Sequence, residues 1–325
     1  MTPSARFRVY GLDLDSDGAL PGLAASGAAA VAGCWAVQLG ETPLTPPSGE
    51  PIYRSDPAEG DAVEVFRPRI GVLHLAFADG AAALVDAAAR TVQVAWPPGQ
   101  TLDDALVYLV GPVLGVALRL LGREVLHASC VDVDGRAVAV LGPAGAGKST
   151  LTAALIDAGQ PLVTEDVCVL WFGEDDASPP AVFRGGTRVK LWEDSVAALR
   201  GVADALPRLV PSSKDWDKRF LDAAAATAAR DLTPLGAVFV LDRRADVVTP
   251  VVEEMAGPAR LLTLIANSYA ASVLDAAGRA RQLERLGALA AAVPVRRLSF
   301  PDRFDALPPT VDALLADVRG GKVAR

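Results

Sequence analysis

Gly142-Pro-Ala-Gly-Ala-Gly147-Lys148-Ser149 is the stretch that decides the fold, because it fits the pattern G-x-x-x-x-G-K-[ST]. The apolar run at residues 137–141 predicts a strand before it, and residues 149–158 predict a helix after it that ends at Gly159. Glycines in such a loop let backbone N–H groups point at phosphate oxygens, and the helix N-terminus adds partial positive charge. The sequence therefore predicts a nucleotide-binding loop.

Two neighbouring residues of this loop are expected to do different work. Lys148 should reach the β- and γ-phosphates, and the Ser149 hydroxyl should ligate Mg²⁺. The expected cofactors are ATP and Mg²⁺, although the residues alone leave another phosphate donor open. The predicted nucleotide-binding set is Gly142, Pro143, Ala144, Gly145, Ala146, Gly147, Lys148, Ser149 and Thr150.

The pattern around the loop predicts an α/β fold. Residues 161–170 form a second apolar run after the helix, and strand, helix and strand in this order favour parallel pairing. Further apolar runs predict strands, and Ala-rich stretches predict helices. The predicted strands are at residues 237–241 and 293–298, and the predicted helices fill residues 258–292 and 309–318.

The first hundred residues differ in style from the rest. Short alternating runs at residues 71–77 and 91–96 predict strands among Gly- and Pro-rich turns. Thr101 then caps a helix whose first turn is acidic, and residues 105–118 read as a buried helix or helix pair. We therefore predict a β-rich N-terminal region at residues 1–100 and a phosphate-loop domain at residues 101–325.

Charge and cysteine content narrow the classes of partner. The 325 residues carry a net charge of -8 and have no block rich in Lys and Arg, so nucleic acid is not expected. The uncharged residues 18–40 are mostly Ala and Gly, too weakly apolar for a signal or a membrane-spanning segment. Three cysteines without metal-ligand spacing predict buried thiols and a reducing, cytoplasmic location: Cys34, Cys130 and Cys168.

Glu165 and Asp166 interrupt an otherwise apolar run, and they are the first candidates for chemistry. Burying a charge without a partner is costly, which favours a metal-bound or hydrogen-bonded function for this pair. His127 precedes the strand of the phosphate loop and is a candidate to orient a carboxylate or share its proton. His74 lies between two leucines on a predicted strand and is left out of the site.

The residues resemble the catalytic domain of HPr kinase/phosphorylase and its relatives. The resemblance rests on Leu126-His-Ala-Ser129, the phosphate loop and Val163-Thr-Glu-Asp-Val167, and it covers residues 101–170. Among the relatives, the chain is most similar to kinases that modify precursor peptides in lasso-peptide pathways. Looser matches follow at Val189-Lys-Leu-Trp192, Asp217-Lys-Arg-Phe220 and Val293-Pro-Val-Arg-Arg-Leu298.

This resemblance implies a phosphoenolpyruvate-carboxykinase-like nucleotide fold and ATP-dependent phosphorylation of a serine hydroxyl. It also implies that an acidic pair supplies the general base and a metal contact, so Ser149 and Asp166 are the expected metal ligands. Here the pair is Glu165-Asp166 where the family usually has two aspartates, which leaves open which of the two is the base. The implied catalytic set is His127, Lys148, Glu165 and Asp166.

Two features of the family are weak or missing in this sequence. Arg184-Gly185-Gly186 is only an echo of the second signature, which the family uses in the reverse, phosphorylase reaction. The first hundred residues do not match the regulatory domain, so neither the reverse reaction nor the protein HPr as substrate is expected.

Three cations are candidates for contacts with phosphate or substrate: Lys190, Lys218 and Arg219. The alternative for each is an ordinary exposed position on the surface. Residues 212–220 read as a loop that closes over substrate. The leading hypothesis is a cytoplasmic kinase acting on a peptide or small protein, with no membrane partner. A nucleotide-binding regulator or ATPase without acceptor and a small-molecule kinase remain as alternatives, and relatives suggest a homo-oligomer.

Overall fold

The computed structural model describes residues 5–26, 33–55, 62–174, 179–213 and 216–320. Within these residues, two 9-stranded sheets and a 2-stranded sheet combine with α-helices. The mixed α/β class predicted from the sequence is therefore confirmed.

The first sheet is built from the N-terminal residues in the order β3-β1-β2-β4-β9-β8-β7-β6-β5. Alternation shapes its strands, as Leu12 and Leu14 are buried while Asp13 and Asp15 are partly exposed. Both strands predicted here are found within a residue of their expected bounds. The strands are β1 (Ala5–Val9), β2 (Leu12–Ser16), β3 (Ala24–Ala25), β4 (Trp35–Gly40), β5 (Tyr53–Arg54), β6 (Val63–Arg69), β7 (Val72–Phe77), β8 (Ala82–Asp86) and β9 (Thr91–Ala95).

A helical segment follows, made of α1 (Leu102–Tyr108), a π-helical turn (Leu109–Val113) and α2 (Leu114–Leu120). The Thr101 side chain accepts a hydrogen bond from the Asp104 N–H, and the Asp104 carboxylate accepts one from the Thr101 N–H. This capping box satisfies two N–H groups that the first turn leaves without partners. The predicted N-cap and the predicted buried helices are confirmed.

The remaining elements form the second sheet, the two-stranded sheet and the helices around them. The second sheet runs in the order β10-β14-β15-β18-β12-β11-β13, with β20 beside β18 and β19 beside β20. The elements are β10 (Glu124–His127), β11 (Ser129–Val133), β12 (Arg136–Leu141), α3 (Lys148–Asp157), β13 (Leu162–Thr164), β14 (Val167–Trp171), β15 (Ala181–Phe183), β16 (Arg188–Trp192), α4 (Glu193–Arg200), β17 (Lys218–Asp222), β18 (Leu232–Arg244), β19 (Val251–Glu254), α5 (Pro258–Ala266), α6 (Ala276–Ala292), β20 (Val295–Pro301) and α7 (Leu307–Gly320).

Residues 161–170 do not form the single strand that the sequence predicts. The run divides into β13 and β14, because Asp166 takes a left-handed conformation with φ 61° and turns the chain between them. β13 then pairs with β11, whereas β14 pairs with β10. The break places β13 at one edge of the sheet and β14 next to β10, the strand at the other edge.

The sequence also predicts that the two strands on either side of the phosphate loop and its helix pair with each other, and this prediction is wrong. β12 and β13 run in the same direction, but β11 lies between them and is antiparallel to both. β11 takes this place because a tight turn at Asp134 and Gly135, both with positive φ, folds it back on β12 as a hairpin. The parallel neighbour of β12 is β18.

β10 and β14 join two hydrophobic cores, since successive side chains of a strand face opposite sides of the sheet. Val125, Val167 and Val169 belong to the core under the N-terminal sheet, whereas Leu126 and Leu170 belong to the core of the second sheet. The division at residues 100 and 101 stays a prediction, and the first core contains residues from both sides of it.

The buried thiols that the sequence predicts are found at two of the three cysteines. All three cysteines are free, and Cys130 and Cys168 are buried with their sulfur atoms 3.4 Å apart, whereas Cys34 is partly exposed. Among the described residues, no helix combines the length and the apolar character needed to cross a membrane.

Candidate functional site

The phosphate loop connects the end of β12 to the start of α3, as the sequence predicts. Gly147 caps α3 with φ 93°, and a Cβ at Gly142 would lie only 3.0 Å from the Ala146 side chain. Gly147 requires a conformation that other residues rarely adopt, and Gly142 requires the absence of a side chain. A glycine-rich turn that leads directly into a helix N-terminus is the arrangement that binds anions in other proteins.

The Lys148 ammonium lies within this loop. Its Nζ atom donates to the carbonyl oxygens of Gly142 at 2.8 Å and Pro143 at 3.2 Å. Burial lowers the pKa of Lys148, and nearby carboxylates oppose that shift. Thr150, the last residue of the predicted binding set, has its hydroxyl 2.8 Å from the Ser195 hydroxyl in α4 and thus ties α3 to α4.

The Glu165 side chain contacts Ser149, the second residue of α3. The Ser149 hydroxyl donates to Glu165 Oε1 at 2.8 Å, while Glu165 Oε2 is buried without a hydrogen-bond partner among the described residues. Burial, and then the negative charge of Asp166, raise the pKa of Glu165 to about 8. The charges of Lys190 and Lys218 oppose this rise in the pKa of Glu165 and offset it only in part.

These oxygens fit Mg²⁺. Mg²⁺ prefers hard oxygen ligands and is usually bound by one or two carboxylates together with substrate phosphates. Ser149 Oγ and the orphaned oxygen of Glu165 would supply the protein's share. Within the described residues, no three or more His, Cys, Asp or Glu side chains group closely enough to hold a metal, so the nucleotide would have to supply the other ligands.

Asp166 faces different partners from Glu165. Its Oδ2 atom lies 2.7 Å from Lys190 Nζ in β16, and its Oδ1 atom lies 3.7 Å from His127 Nε2. Although burial acts in the opposite direction, the charge of Lys190 and then that of His127 hold the pKa of Asp166 well below its ordinary value. Asp166 is therefore a carboxylate at neutral pH, and its positive φ holds it out of both flanking strands.

His127 ends β10 directly opposite Val167, which places it beside the Asp166 turn. At 3.7 Å the contact with Asp166 is too long for a hydrogen bond and acts through charge alone. Burial lowers the pKa of His127 and the three nearby lysines lower it further, against the effect of Asp166.

The three candidate cations do not share one location. Lys190 pairs with Asp166, and Lys218 lies near enough for its charge to lower the pKa of Asp166 and of Glu165. Lys218 Nζ also lies 4.7 Å from the ring centre of Trp192 and 5.1 Å from that of Trp216. Arg219 faces the other side of β17, where Asp217 and the Leu206 carbonyl bind its guanidinium.

The predicted covering loop lies partly outside the described residues, because 214 and 215 are not described. Residues 218–220 belong to β17, which pairs with β16 from Arg188 to Trp192. That part of the segment is therefore a strand beside the site.

A narrow cavity borders the two carboxylates, and none of its described lining residues belongs to the phosphate loop. Its walls come from the N-terminal sheet, from α1 with the π-helical turn, and from β16. The lining residues include Tyr10, Gly22, Leu106, Val110, Glu165, Asp166, Gly186, Arg188 and Lys190. An acceptor held there would lie beside both carboxylates.

Sequence reasoning missed several residues of this site. Asn267 Oδ1 accepts from the Gly142 N–H at 3.3 Å, and the Asn267 carbonyl accepts from the His127 N–H at 2.7 Å. Tyr10 and Tyr269 flank the carboxylates, and burial raises the pKa of both phenols well above the ordinary value. They come from distant parts of the chain and carry no local motif that would have revealed them.

Gly185, in the echo of the second signature, lies close to the acidic pair. Its N–H donates to the Val163 carbonyl at 2.8 Å, and a Cβ added there would lie 2.1 Å from Thr164 Oγ1. Only glycine fits this approach.

Comparisons with known proteins add little to this geometry. No family model and no curated protein matches the chain. Among solved structures, the HPr(Ser) kinase/phosphatase from Coxiella burnetii is similar, with 14% identity over 61% of this chain and 99% of that chain, at a TM-score of 0.33. The similarity is distant. A likeness at that level carries no argument about activity, so the function is argued from the site.

Proposed function

We propose that this protein is a Mg²⁺-dependent kinase that transfers the γ-phosphoryl group of ATP to a hydroxyl group. The single observation that carries the proposal is the division of the acidic pair between two sets of partners. Glu165 binds the Ser149 hydroxyl of the phosphate loop, whereas Asp166 binds Lys190, and both carboxylates line the cavity. Phosphoryl transfer requires these two positions, one for the metal and one for the acceptor hydroxyl.

In this proposal Ser149 and Glu165 hold Mg²⁺, and Asp166 is the base. When bound, the metal neutralises charge on the phosphates. The acceptor oxygen forms a bond to the γ-phosphorus, the bond from that phosphorus to the bridging oxygen breaks, and ADP leaves. Asp166 takes the hydroxyl proton, and the ammonium groups of Lys148 and Lys190 stabilise negative charge on the transferred group. The sequence had favoured Asp166 as the metal ligand, and the contact of Ser149 with Glu165 supports the other arrangement.

We also propose a fold family for the nucleotide domain and a class of acceptor. The resemblance of residues 101–170 to HPr kinase-like proteins favours a phosphoenolpyruvate-carboxykinase-like nucleotide domain and a serine acceptor on a peptide or small protein. A ribosomally made precursor peptide of the lasso class is the acceptor we propose to test first. The narrow cavity beside Asp166 supports an acceptor that enters through one side chain.

Mass spectrometry tests this proposal directly. Short peptides encoded beside this gene are incubated with the protein and Mg-ATP, and Lys148→Ala serves as the inactive variant. Arg219→Gln is the matched control, because that side chain points away from the carboxylates. We expect one added phosphate on a serine with the wild type and the control, and none with Lys148→Ala.

The opposite result separates the competing functions. If nucleotide binds but no peptide gains a phosphate, the kinase proposal for peptides fails. Release of phosphate without a phosphorylated product would then favour an ATPase or regulator. A phosphorylated metabolite in place of a peptide would favour a small-molecule kinase.

A further inference from the structure

A second cavity, of about 310 Å³, lies at the opposite end of β10 and β14 from the acidic pair. Arg123 immediately precedes β10 and Trp171 ends β14, whereas His127 and Val167 mark the other end. Three residue steps along β10 separate Glu124 from His127, roughly 10 Å. The cavity is therefore distinct from the phosphate loop and from the cavity at Asp166.

Positive charge is concentrated in this second cavity. Arg90, Arg123 and Arg285 line it, and none of its described lining residues carries a carboxylate. Within the described residues neither Arg90 nor Arg123 has an ion-pair partner, although the chain as a whole has a net charge of -8. Like charges that line one cavity repel each other, and an anion bound by Arg90 and Arg123 would offset this repulsion.

Burial strengthens the argument for Arg123. Its guanidinium lies 4.5 Å from the ring centre of Trp171 and 5.7 Å from that of Phe183. Burial, and then the charge of Arg285, lower the pKa of Arg123. The two aromatic rings therefore pack close to this guanidinium, whose planar fork is suited to two oxygens of one anion.

Two glycines keep the arginines within reach of the cavity. A Cβ at Gly33 would lie 2.5 Å from Arg90 Nη1, so the absence of a side chain lets the Arg90 guanidinium lie against the backbone. Gly122 has φ 72° and its carbonyl accepts from Arg285 Nη1 at 2.6 Å. Both glycines line the cavity.

The remaining walls are apolar. Leu12, Trp35, Leu170 and Phe172 contribute surface to the cavity beside Trp171. Small-molecule sites usually combine such walls with a few polar groups that fix orientation, in volumes of about 300 to 1,000 Å³. The composition fits a ligand with one charged end and one apolar end.

We propose that this cavity binds a small organic anion, whose phosphate or carboxylate group contacts Arg123 and Arg90 while an apolar body packs against Trp171 and Trp35. The site does not depend on the kinase proposal, because no residue of the phosphate loop or of the acidic pair lines it.

Calorimetry with three ligands of similar size tests the site. Phenyl phosphate, benzoate and neutral benzyl alcohol are titrated into the full chain carrying Lys148→Ala, which removes the main phosphate-binding cation of the loop. We expect at least one of the two anions to bind and the alcohol not to bind. Comparison of the two anions tells which headgroup the site takes.

Arginine variants then locate the binding. Arg123→Met and, separately, Arg90→Gln should each lower the affinity for the anion roughly tenfold or more, which is the loss expected for a charged hydrogen bond. Arg90 is exposed, so Arg90→Gln should leave the fold intact and still test the site if Arg123→Met fails to fold. Arg281→Gln, an exposed position one turn before Arg285 in α6, is the matched control and should bind like the parent. Equal binding by all variants, binding of the alcohol as tight as that of the anions, or no binding of either anion would overturn the proposal.

Discussion

Asp166 Oδ2 lies 2.7 Å from Lys190 Nζ, while the neighbouring Glu165 has its Oε1 atom 2.8 Å from the Ser149 hydroxyl. Two carboxylates that are adjacent in the sequence thus have unlike surroundings, and their pKa values are shifted in opposite directions. Groups whose pKa values are pushed apart by their environment commonly divide the tasks of a site.

Replacing the two carboxylates should produce different defects. Asp166→Asn removes the proposed base, so we expect a fall in kcat of roughly a hundredfold or more with nucleotide affinity kept. Glu165→Gln removes a proposed metal ligand, so we expect weaker Mg²⁺ binding by at least the roughly tenfold that loss of an outer partner costs. Steady-state kinetics over a Mg²⁺ series distinguishes them. Identical responses of both variants to Mg²⁺ would contradict the division.

Lys190 should stabilise the fold as well as the site. The side chains of Lys190 and Asp166 are only 18% and 25% exposed, so Lys190→Met leaves a largely buried carboxylate without its counter-charge. We expect a loss of about 3 kcal/mol in the free energy of unfolding, measured with urea. Lys190→Arg should recover part of it. If Lys190→Met combined with Asp166→Asn is no more stable than Lys190→Met alone, the pair is not the cause.

Mg²⁺ binding should release a proton. Burial raises the pKa of Glu165 to about 8, so this carboxyl is mostly protonated at pH 7 in the absence of metal. Because a metal ligand must be deprotonated, we expect release of about one proton at pH 7 and much less above pH 9, with Mg²⁺ affinity rising between them. Calorimetry in buffers of different ionisation enthalpy measures this. Glu165→Gln should abolish the release, and an unchanged value in that variant would assign the proton elsewhere.

Gly185 should be intolerant of any side chain. Gly185→Ala would bring a Cβ within 2.1 Å of Thr164 Oγ1, so we expect a loss of about 1 to 3 kcal/mol in the free energy of unfolding. Gly287→Ala in α6 is the matched control, since its Cβ meets nothing within 4 Å and should stabilise the helix by about 0.5 to 1 kcal/mol. Thermal unfolding compares the two, and a neutral Gly185→Ala would show that Thr164 moves freely.

Lys218 and Arg219 provide a matched pair on opposite faces of β17. Lys218→Gln removes a charge that acts on both carboxylates, and we expect kcat/KM to fall about fivefold, equivalent to ~1 kcal/mol. Arg219→Gln should leave kcat/KM unchanged, because Asp217 and the Leu206 carbonyl bind that guanidinium. A larger effect of Arg219→Gln than of Lys218→Gln would contradict this assignment of the two faces of β17.

Local patterns were enough for the elements that carry their own signal. The phosphate loop, the Thr101 cap and the alternating strands β7 and β9 follow from residues close together in the chain, and each lies where the sequence predicted it. The single strand at residues 161–170 was wrong, because an apolar run does not reveal the left-handed turn at Asp166.

The sequence by itself determined that a glycine-rich turn would join a strand to a helix at Lys148 and Ser149, since that depends on backbone freedom and local hydrogen bonds. It also singled out Glu165 and Asp166 as costly to bury. Only the tertiary structure decided which carboxylate meets Ser149 and which meets Lys190. It likewise decided that Tyr10 joins the site from the N-terminal sheet. Those contacts depend on how distant strands pack, and no spacing along the chain encodes that packing.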